Sequence, residues 1–213
     1  MALEDNFPEF REKFHVVYNI LSAQFLRKMA EAPADFGDRY SGSRVLSIAR
    51  LSVQKGLDLA LPAVASLREK GLEFRWYIIG VGPEEAALQE QARSLGIEQD
   101  VCFLGEQANP YPFLRACDVY LQPSRFEGKS IAVDEAMVLC KPILLTDFST
   151  AADQVTSGEN GLIVPMTPEG IAEGLEKLLT DGELRQRFRD ALEAEDYTNE
   201  NEIQKVYSLI GSE

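Results

Sequence analysis

PSRFEGKSIAVDEAMVLCKPI, residues 123–143, is the stretch of this chain that decides its fold. It begins at the end of an apolar strand, passes through a turn, and continues as a helix that leads through a Lys-Pro pair into another apolar strand. Gly128 in the turn allows a ligand to approach the backbone, and the first helical turn offers unpaired N–H groups that attract an anion. These groups belong to Lys129, Ser130 and Ile131. The stretch predicts a strand–loop–helix unit that binds phosphate.

Two carboxylates flank this predicted anion site. Glu127 lies just before the helix, and Glu135 is expected about two turns into it, on an apolar run that predicts burial. A buried carboxylate is costly unless it accepts hydrogen bonds. The hydroxyls of a ribose or a hexose would provide them, and so would a partner on a neighbouring strand or loop. Both interpretations of Glu135 stay open at this point.

Composition limits the class of protein. With 213 residues and 45% hydrophobic content, the chain can bury a core of its own. It lacks a membrane-length apolar run and a signal-peptide pattern, so we expect a soluble, cytoplasmic protein. The net charge of −14 argues against nucleic acid as a partner, because that binding requires clustered Lys and Arg. A small anion held by a few local cations is still compatible with this charge.

Metal and redox chemistry are not predicted. The three cysteines, Cys102, Cys117 and Cys140, have no CxxC spacing and border apolar segments, as buried reduced thiols do. The single histidine, His15, lies in an apolar run and has no partner at a metal-ligand spacing. We therefore expect no metal site and no cofactor.

The first 43 residues are predicted to be a linker with one strand and one helix. FHVVYN, residues 14–19, favours a strand, residues 20–30 have helical spacing, and residues 31–43 form a polar connection. The predicted domain then covers residues 44–213.

From residue 44 onwards, strand and helix patterns alternate. Strands are predicted at 44–50, 74–80, 100–105, 118–122, 142–146 and 161–164. Besides the helix that carries Glu135, helices are predicted at 55–70, 84–95, 110–117, 168–180, 182–192 and 199–210. Such repeats predict an α/β fold, a Rossmann-like, doubly wound parallel sheet with helices on both faces.

Ligands of such sheets bind at the carboxyl ends of the strands. The ends of four strands would bring residues 49–55, 80–83, 105–109 and 124–130 into one cleft. The first of these segments contributes Arg50 and Lys55. A solvated loop is one interpretation of the pair, but a guanidinium and an ammonium beside an anion-binding backbone suit a diphosphate.

The segment GVGPEE, residues 80–85, was compared with the dinucleotide-binding fingerprint. It follows a strand and opens a helix, but Glu85 occupies the position of the third Gly or Ala. It is also not the first strand–helix turn of the chain. A dehydrogenase is therefore disfavoured, and the segment is interpreted as a tight turn that a ligand can approach.

Five stretches together resemble a known family. SIARLSVQKGLDLAL, IIGVGPE, VCFLGE, CDVYLQPSRFEGKSIAVDEAM and SGENGLIVP are similar, in order and spacing, to the C-terminal donor-binding domain of group 1 (family 4) GT-B glycosyltransferases. The resemblance covers about residues 14–210. Glu127 and Glu135, with seven residues between them, match the two-glutamate signature of the family, and Arg50 and Lys55 match its cation pair.

The resemblance implies a role for each matched residue in retaining transfer from a nucleotide-sugar, with a UDP-linked donor favoured. Arg50 and Lys55 would hold the diphosphate and neutralise the leaving group, and Glu127 would bind the sugar. The backbone of residues 128–131 would bind the phosphates or the sugar, and Glu135 the ribose hydroxyls. Gly80 and Gly82 would let the donor pass, while Gly105 and Glu106 would border the base.

The chain also departs from the family pattern. Its turn reads EGKSIA where EGFGLP is common. Lys129, one of the residues matched to donor binding, could add a cation to the phosphate site or point to solvent, and we favour solvent. The N-terminal acceptor domain of the family is expected to be absent. The resemblance implies that this missing domain holds a saccharide or lipid-linked acceptor, and that the full-length enzyme can be peripheral at a membrane. A GT-B-like epimerase or phosphorylase and a non-catalytic interaction module are the alternatives.

Overall fold

In the computed structural model, residues 6–15, 17, 20–198 and 202–211 are described. The strands are β1 Ser43–Ile48, β2 Phe74–Ile79, β3 Val101–Gly105, β4 Val119–Gln122, β5 Ile143–Thr146 and β6 Gly161–Val164. The helices are α1 Ala23–Met29, α2 Leu57–Glu69, α3 Glu85–Ser94, α4 Tyr111–Ala116, α5 Ile131–Val138, α6 Pro168–Thr180, α7 Gly182–Glu193 and α8 Glu202–Ile210. Short 3₁₀ turns cover Pro8–Lys13, Val53–Lys55 and Ala151–Asp153.

The strands form one parallel sheet in the order β3-β2-β1-β4-β5-β6. Strand β1 pairs with β2 on one side and with β4 on the other, so that Leu46 lies opposite both Tyr77 and Tyr120. The direction of winding reverses between β1 and β4, and this reversal opens a crevice at their carboxyl ends. The predicted doubly wound parallel sheet is confirmed.

The sheet is apolar on both faces because helices cover both. On one face Val45, Trp76 and Leu121 belong to a core that includes residues of α2 and α6. On the other face Leu46, Tyr77 and Tyr120 belong to a core that includes residues of α4 and α5. Strands buried on both sides are nearly continuous apolar runs, which is why the sequence pattern predicts them well.

The polar connection before β1 packs more closely than predicted. The ring of Phe36 is buried, with its centroid 4.5 Å from that of Tyr77 and 5.1 Å from that of Phe113. The Asp38 carboxylate accepts hydrogen bonds from the Tyr77 hydroxyl at 2.6 Å and from the Arg75 guanidinium at 2.7 Å. These contacts fix the connection to the sheet.

Two compact units divide the chain: Ala23–Tyr197, and Met1–Ser22 together with Thr198–Glu213. The second unit contains the 3₁₀ turn Pro8–Lys13 and helix α8, whose side chains are half-buried or exposed. The predicted strand at residues 14–19 includes positions 16, 18 and 19, which lie outside the described residues. The predicted domain boundary at residue 43 stays a prediction. In the described part of the chain, no helix is long and apolar enough to cross a membrane.

The cysteines are reduced, but only one of them is buried. Burial raises the pKa of the Cys117 thiol to about 12, which keeps it protonated and unreactive. Cys102 and Cys140 are half-buried, so the prediction of burial is wrong for these two.

The loop after β1 is locked against the loop after β4. Gly56 has a φ of +63°, and a Cβ atom there would collide with the carbonyl oxygen of Pro123. The Arg125 N–H donates to the Gln54 carbonyl at 2.8 Å, and the Arg125 guanidinium binds both oxygens of Asp58 at 2.7 and 2.6 Å. These bonds join the loop after β4 to the loop after β1 and to the first turn of α2.

Replacing Gly56 by Ala should destabilise the fold more than the same change at Gly96. Both glycines have positive φ values, +63° and +69°, but only Gly56 has a neighbour within reach of a Cβ atom. We expect Gly96→Ala to lower the free energy of unfolding by about 1–2 kcal/mol. Gly56→Ala should lower it by roughly 1–3 kcal/mol more, because the two loops must separate. Urea unfolding measures both, and equal losses would contradict the proposed loop contact.

Candidate functional site

A cleft of about 500 Å³ opens at the carboxyl ends of the central strands, where the winding of the sheet reverses. The residues that line it come from β1, β2, the loops after β1, β2, β3 and β4, and the start of α5. They are Ile48, Ala49, Arg50, Lys55, Ile79, Gly80, Val81, Glu106, Gln107, Pro110, Glu127, Lys129, Ser130, Ile131 and Ala132. Open sheets of this type bind ligands at this position.

Lys55 and Glu127 form an ion pair in the cleft. The Lys55 Nζ atom lies 2.6 Å from Glu127 Oε1, and the Glu127 side chain is only 7% exposed. Gln122 Nε2 and Ser124 Oγ donate to the same oxygen at 2.7 and 2.6 Å. Among the described residues, Glu127 Oε2 has no hydrogen-bond donor, so it is available to a ligand.

A buried polar chain supports Glu127 from behind. The Tyr120 hydroxyl donates to Gln122 Oε1 at 2.6 Å, and Gln122 Nε2 donates to Ser124 Oγ at 2.9 Å as well as to Glu127. The sequence analysis placed residues 124–130 in the cleft but gave no role to Ser124, and it did not identify Gln122. The signal that could have found them is two polar residues at the end of an apolar strand, because buried polar groups are hydrogen-bonded.

Arg50 is the second cation of the cleft. Its side chain is exposed, and within the described part of the chain it has no ion-pair partner. Since Lys55 is already neutralised by Glu127, Arg50 contributes the uncompensated positive charge on this side. A guanidinium in that position can bind two oxygens of an anion at once.

Helix α5 begins with unpaired amides, and they coincide only in part with the predicted residues. Its first backbone hydrogen bond runs from the Asp134 N–H to the Ser130 carbonyl at 3.2 Å. The amides of Ile131, Ala132 and Val133 have no acceptor among the described residues. The Ser130 amide was predicted to be unpaired, and this is wrong because it donates to Gln154 Oε1 at 2.9 Å.

Gly128 and Lys129 border this helix start. A Cβ atom at Gly128 would have nothing within 4 Å, so the backbone there is accessible. Lys129 lines the cleft, and its Nζ atom lies 3.1 Å from Asp134 Oδ2. The expectation that Lys129 points to solvent stays a prediction, because the residue lines the cleft and its side chain is also 44% exposed.

Glu135 lies one turn into α5, not two, because the helix begins only at Ile131. It does not line the cleft, and its Oε1 atom accepts a hydrogen bond from the Tyr111 hydroxyl at 3.0 Å. Burial raises the pKa of the Glu135 carboxyl, the hydrogen bond from Tyr111 lowers it, and the negative charge of Asp134 raises it. Tyr111, which the sequence analysis did not single out, is thus the protein partner of this carboxylate.

Two of the predicted donor-binding glycines, Gly80 and Gly82, make close contacts between loops. Gly80 has a φ of +135°, and a Cβ atom there would collide with the Ala49 carbonyl oxygen. At Gly82 a Cβ atom would collide with the Leu51 carbonyl oxygen. Of the two, only Gly80 lines the cleft. Gly105 has a φ of +66° and accepts a hydrogen bond from the Gly80 amide at 2.8 Å, next to the exposed Glu106 at the cleft rim.

Most of the predicted site residues therefore share one cleft. Those that line it are Arg50, Lys55, Gly80, Glu106, Glu127, Lys129, Ser130 and Ile131. Those outside its lining are Gly82, Gly105, Gly128 and Glu135. Their roles toward a donor stay predictions.

Comparison with known proteins identifies the family. The family model of the glycosyl transferases group 1 matches residues 33–194, which is most of the chain. The chain belongs to this family. The match begins within the connection that packs on the sheet and ends just after α7, so it lies inside the compact unit Ala23–Tyr197.

Curated relatives of this group 1 chain are glycosyltransferases. It is 28% identical over 187 residues to the alpha-D-kanosaminyltransferase of Streptomyces kanamyceticus, covering 84% of this chain and 48% of that protein. It is 32% identical over 147 residues to the lipopolysaccharide core biosynthesis glycosyltransferase LpsE of Rhizobium meliloti, covering 68% and 42%. The chain thus spans about half the length of the curated relatives that it matches.

Solved structures show the same GT-B fold. HepE of Anabaena, crystallised in complex with UDP, has a TM-score of 0.80 at 21% identity, covering 95% of this chain and 58% of that one. The C-terminal domain of the group 1 protein LpcC from Francisella tularensis has a TM-score of 0.64 at 20% identity, covering 90% and 96%. The second match pairs this chain with nearly the whole of a C-terminal domain.

The raised pKa of Glu135 predicts a pH-dependent stability. Burial raises the pKa of the Glu135 carboxyl in the folded state, so the protonated form favours folding. This stabilisation is fully present below about 4.3, the ordinary carboxyl pKa, and is lost as the pH rises through the raised pKa of the folded state. Glu135→Gln carries no charge at either pH, so the variant does not lose stability as the pH rises. Its melting temperature, relative to the wild type, should therefore be higher at pH 7 than at pH 4.

Tyr111→Phe provides the matched test for the same carboxyl. It removes the hydrogen bond that lowers the pKa of Glu135, so it should cost more stability at pH 7 than at pH 4. Melting curves at the two pH values measure both variants. Differences from the wild type that do not change with pH would contradict this account of Glu135.

Proposed function

We propose that this chain is the donor-binding domain of a retaining glycosyltransferase and that its cleft binds a nucleotide-activated sugar, with UDP as the nucleotide. The observation that carries the proposal is the convergence of Arg50, Lys55 and the open start of α5 on one cleft. Family membership and the similarity of the fold to that of HepE, which was crystallised with UDP, support it.

The diphosphate of the donor would lie between the two cations and the helix. Arg50 can bind phosphate oxygens with its fork of N–H groups, and the amides of Ile131 and Ala132 favour negative charge at a helix N-terminus. Lys55 stays beside Glu127, so it would act as a donor shared between the carboxylate and a phosphate oxygen.

The two glutamates would bind hydroxyl groups of the donor. Glu127 has one oxygen occupied by three protein donors, which leaves Oε2 for a sugar hydroxyl. Glu135 would accept from the ribose hydroxyls while keeping its hydrogen bond from Tyr111. Both carboxylates would then orient the donor without acting as general acid or base.

The proposed transfer breaks the bond between the anomeric carbon and the β-phosphate oxygen and forms a bond from that carbon to the oxygen of an acceptor hydroxyl, whose proton passes to the departing phosphate. Arg50 and Lys55 would stabilise the negative charge that develops on the departing nucleoside diphosphate. In this proposal two cations suffice, and no protein-bound metal or organic cofactor takes part. The acceptor, a saccharide or a lipid-linked sugar, would be held by another domain of a cytoplasmic enzyme.

Arg50→Ala should weaken UDP binding by roughly 1.5–3 kcal/mol, because a charge-assisted contact to phosphate is lost. Isothermal titration calorimetry of the chain with UDP measures the effect. A matched control is Arg187→Ala, which removes an exposed arginine on α7 outside the cleft and should leave the affinity unchanged. The proposal fails if the wild-type chain binds neither UDP nor GDP at millimolar concentration, or if both variants bind alike.

A further inference from the structure

We propose that Gln154 is a positioning residue for the donor site: it holds the start of α5 in place and, through Asp134, fixes the ammonium group of Lys129 at the cleft. Gln154 directly follows the 3₁₀ turn Ala151–Asp153 after β5, and it does not line the cleft. The inference rests on the proposed function, because what it positions is the predicted phosphate site.

The Gln154 carboxamide makes three hydrogen bonds to α5 and its cap residue. Its Oε1 atom accepts from the Ser130 amide at 2.9 Å. Its Nε2 atom donates to the Ser130 carbonyl at 2.9 Å and to Asp134 Oδ1 at 2.7 Å. The side chain is 8% exposed, so these bonds are formed in a site largely shielded from water. All three bonds therefore go to Ser130, the residue before the helix, or to Asp134 in its first turn.

The carboxamide binds Ser130 as another backbone strand would. The Gln154 carboxamide accepts a hydrogen bond from the Ser130 N–H and donates one to the Ser130 C=O. These two bonds fix the position and the backbone orientation of Ser130, the residue before the helix. The Ser130 amide is thereby occupied, so the first unpaired amide is that of Ile131. Gln154 thus determines which backbone groups are presented to an anion in the cleft.

Asp134 extends this effect to a side chain in the cleft. Its Oδ1 atom accepts from Gln154, and its Oδ2 atom lies 3.1 Å from the Lys129 Nζ atom. Lys129 lines the cleft beside Ser130 and Ile131. The chain Gln154–Asp134–Lys129 therefore sets both the backbone donors and one ammonium donor on the same wall.

A residue that both donates and accepts is required at position 154. Glu has the same shape as Gln but lacks the N–H groups, so Gln154→Glu would place a carboxylate against the Asp134 carboxylate and the Ser130 carbonyl. Like charges at this distance repel, and the start of α5 must move. The double variant Gln154→Glu with Asp134→Asn restores a donor facing an acceptor between positions 154 and 134, with the direction of the bond reversed and the net charge unchanged. It does not restore the donor to the Ser130 carbonyl or the ion pair with Lys129, so we expect partial recovery.

The test compares UDP affinities by calorimetry. We expect Gln154→Glu to weaken binding about tenfold, and the double variant to return to within about threefold of the wild type. Gln186→Glu, an exposed change on α7, adds the same charge outside the cleft and should have no effect. A merely structural role would lower the fraction of folded chain, and thus the binding stoichiometry, but would leave the affinity of the folded chain unchanged. Unchanged affinity in Gln154→Glu, or no recovery in the double variant, would overturn the proposal.

Hydrogen exchange of the Ser130 amide, measured by NMR without ligand, separates this inference from the proposed function. The exchange should be slow in the wild type, faster in Gln154→Glu, because repulsion by Asp134 and the Ser130 carbonyl moves the side chain away from the Ser130 amide, and slower again in the double variant. If this pattern is found in a chain that does not bind UDP, the proposed function is wrong but the contact is real. Fast exchange in the wild type would overturn the positioning role, whatever the chain binds.

Discussion

The site depends on the close contact between the loop after β1 and the loop after β4. Gly56 approaches the Pro123 carbonyl more closely than a side chain would permit, and Arg125 ties the two loops together through Gln54 and Asp58. This contact places Lys55 beside Glu127, a residue 72 positions later in the chain. Without this contact between the loops, Lys55 and Glu127 would lie on two separate loops and would not be held together as an ion pair.

Both walls of the cleft are held by contacts within the protein. Glu127 is held by Gln122 and Ser124 as well as by Lys55, and the start of α5 is held by Gln154. Preorganised charges and dipoles stabilise a leaving group without reorganising when the bond breaks. In the proposed function the buried polar contacts would serve orientation, and the exposed Arg50 side chain would be accessible to a ligand.

The fold was predictable because its signals are local. Strands such as Phe74–Ile79 are continuous apolar runs, and Gly71 and Gly96 mark the ends of the helices that precede the next strand. Contacts across the chain were not predictable. A glutamine such as Gln154 has no pattern that shows it will bind Ser130, and the polar segment around Asp38 gave no sign that it packs on the sheet. Likewise, Gly80 fitted a ligand-approach interpretation, whereas its neighbour in the structure is the Ala49 carbonyl.

A crystal structure of this chain with UDP would test the central claim most directly. Our account predicts the diphosphate between the Arg50 guanidinium, the Lys55 ammonium and the amides of Ile131 and Ala132, with the ribose hydroxyls bonded to Glu135. A nucleotide bound outside this cleft, or one in the cleft whose phosphates contact neither Arg50 nor the start of α5, would contradict it.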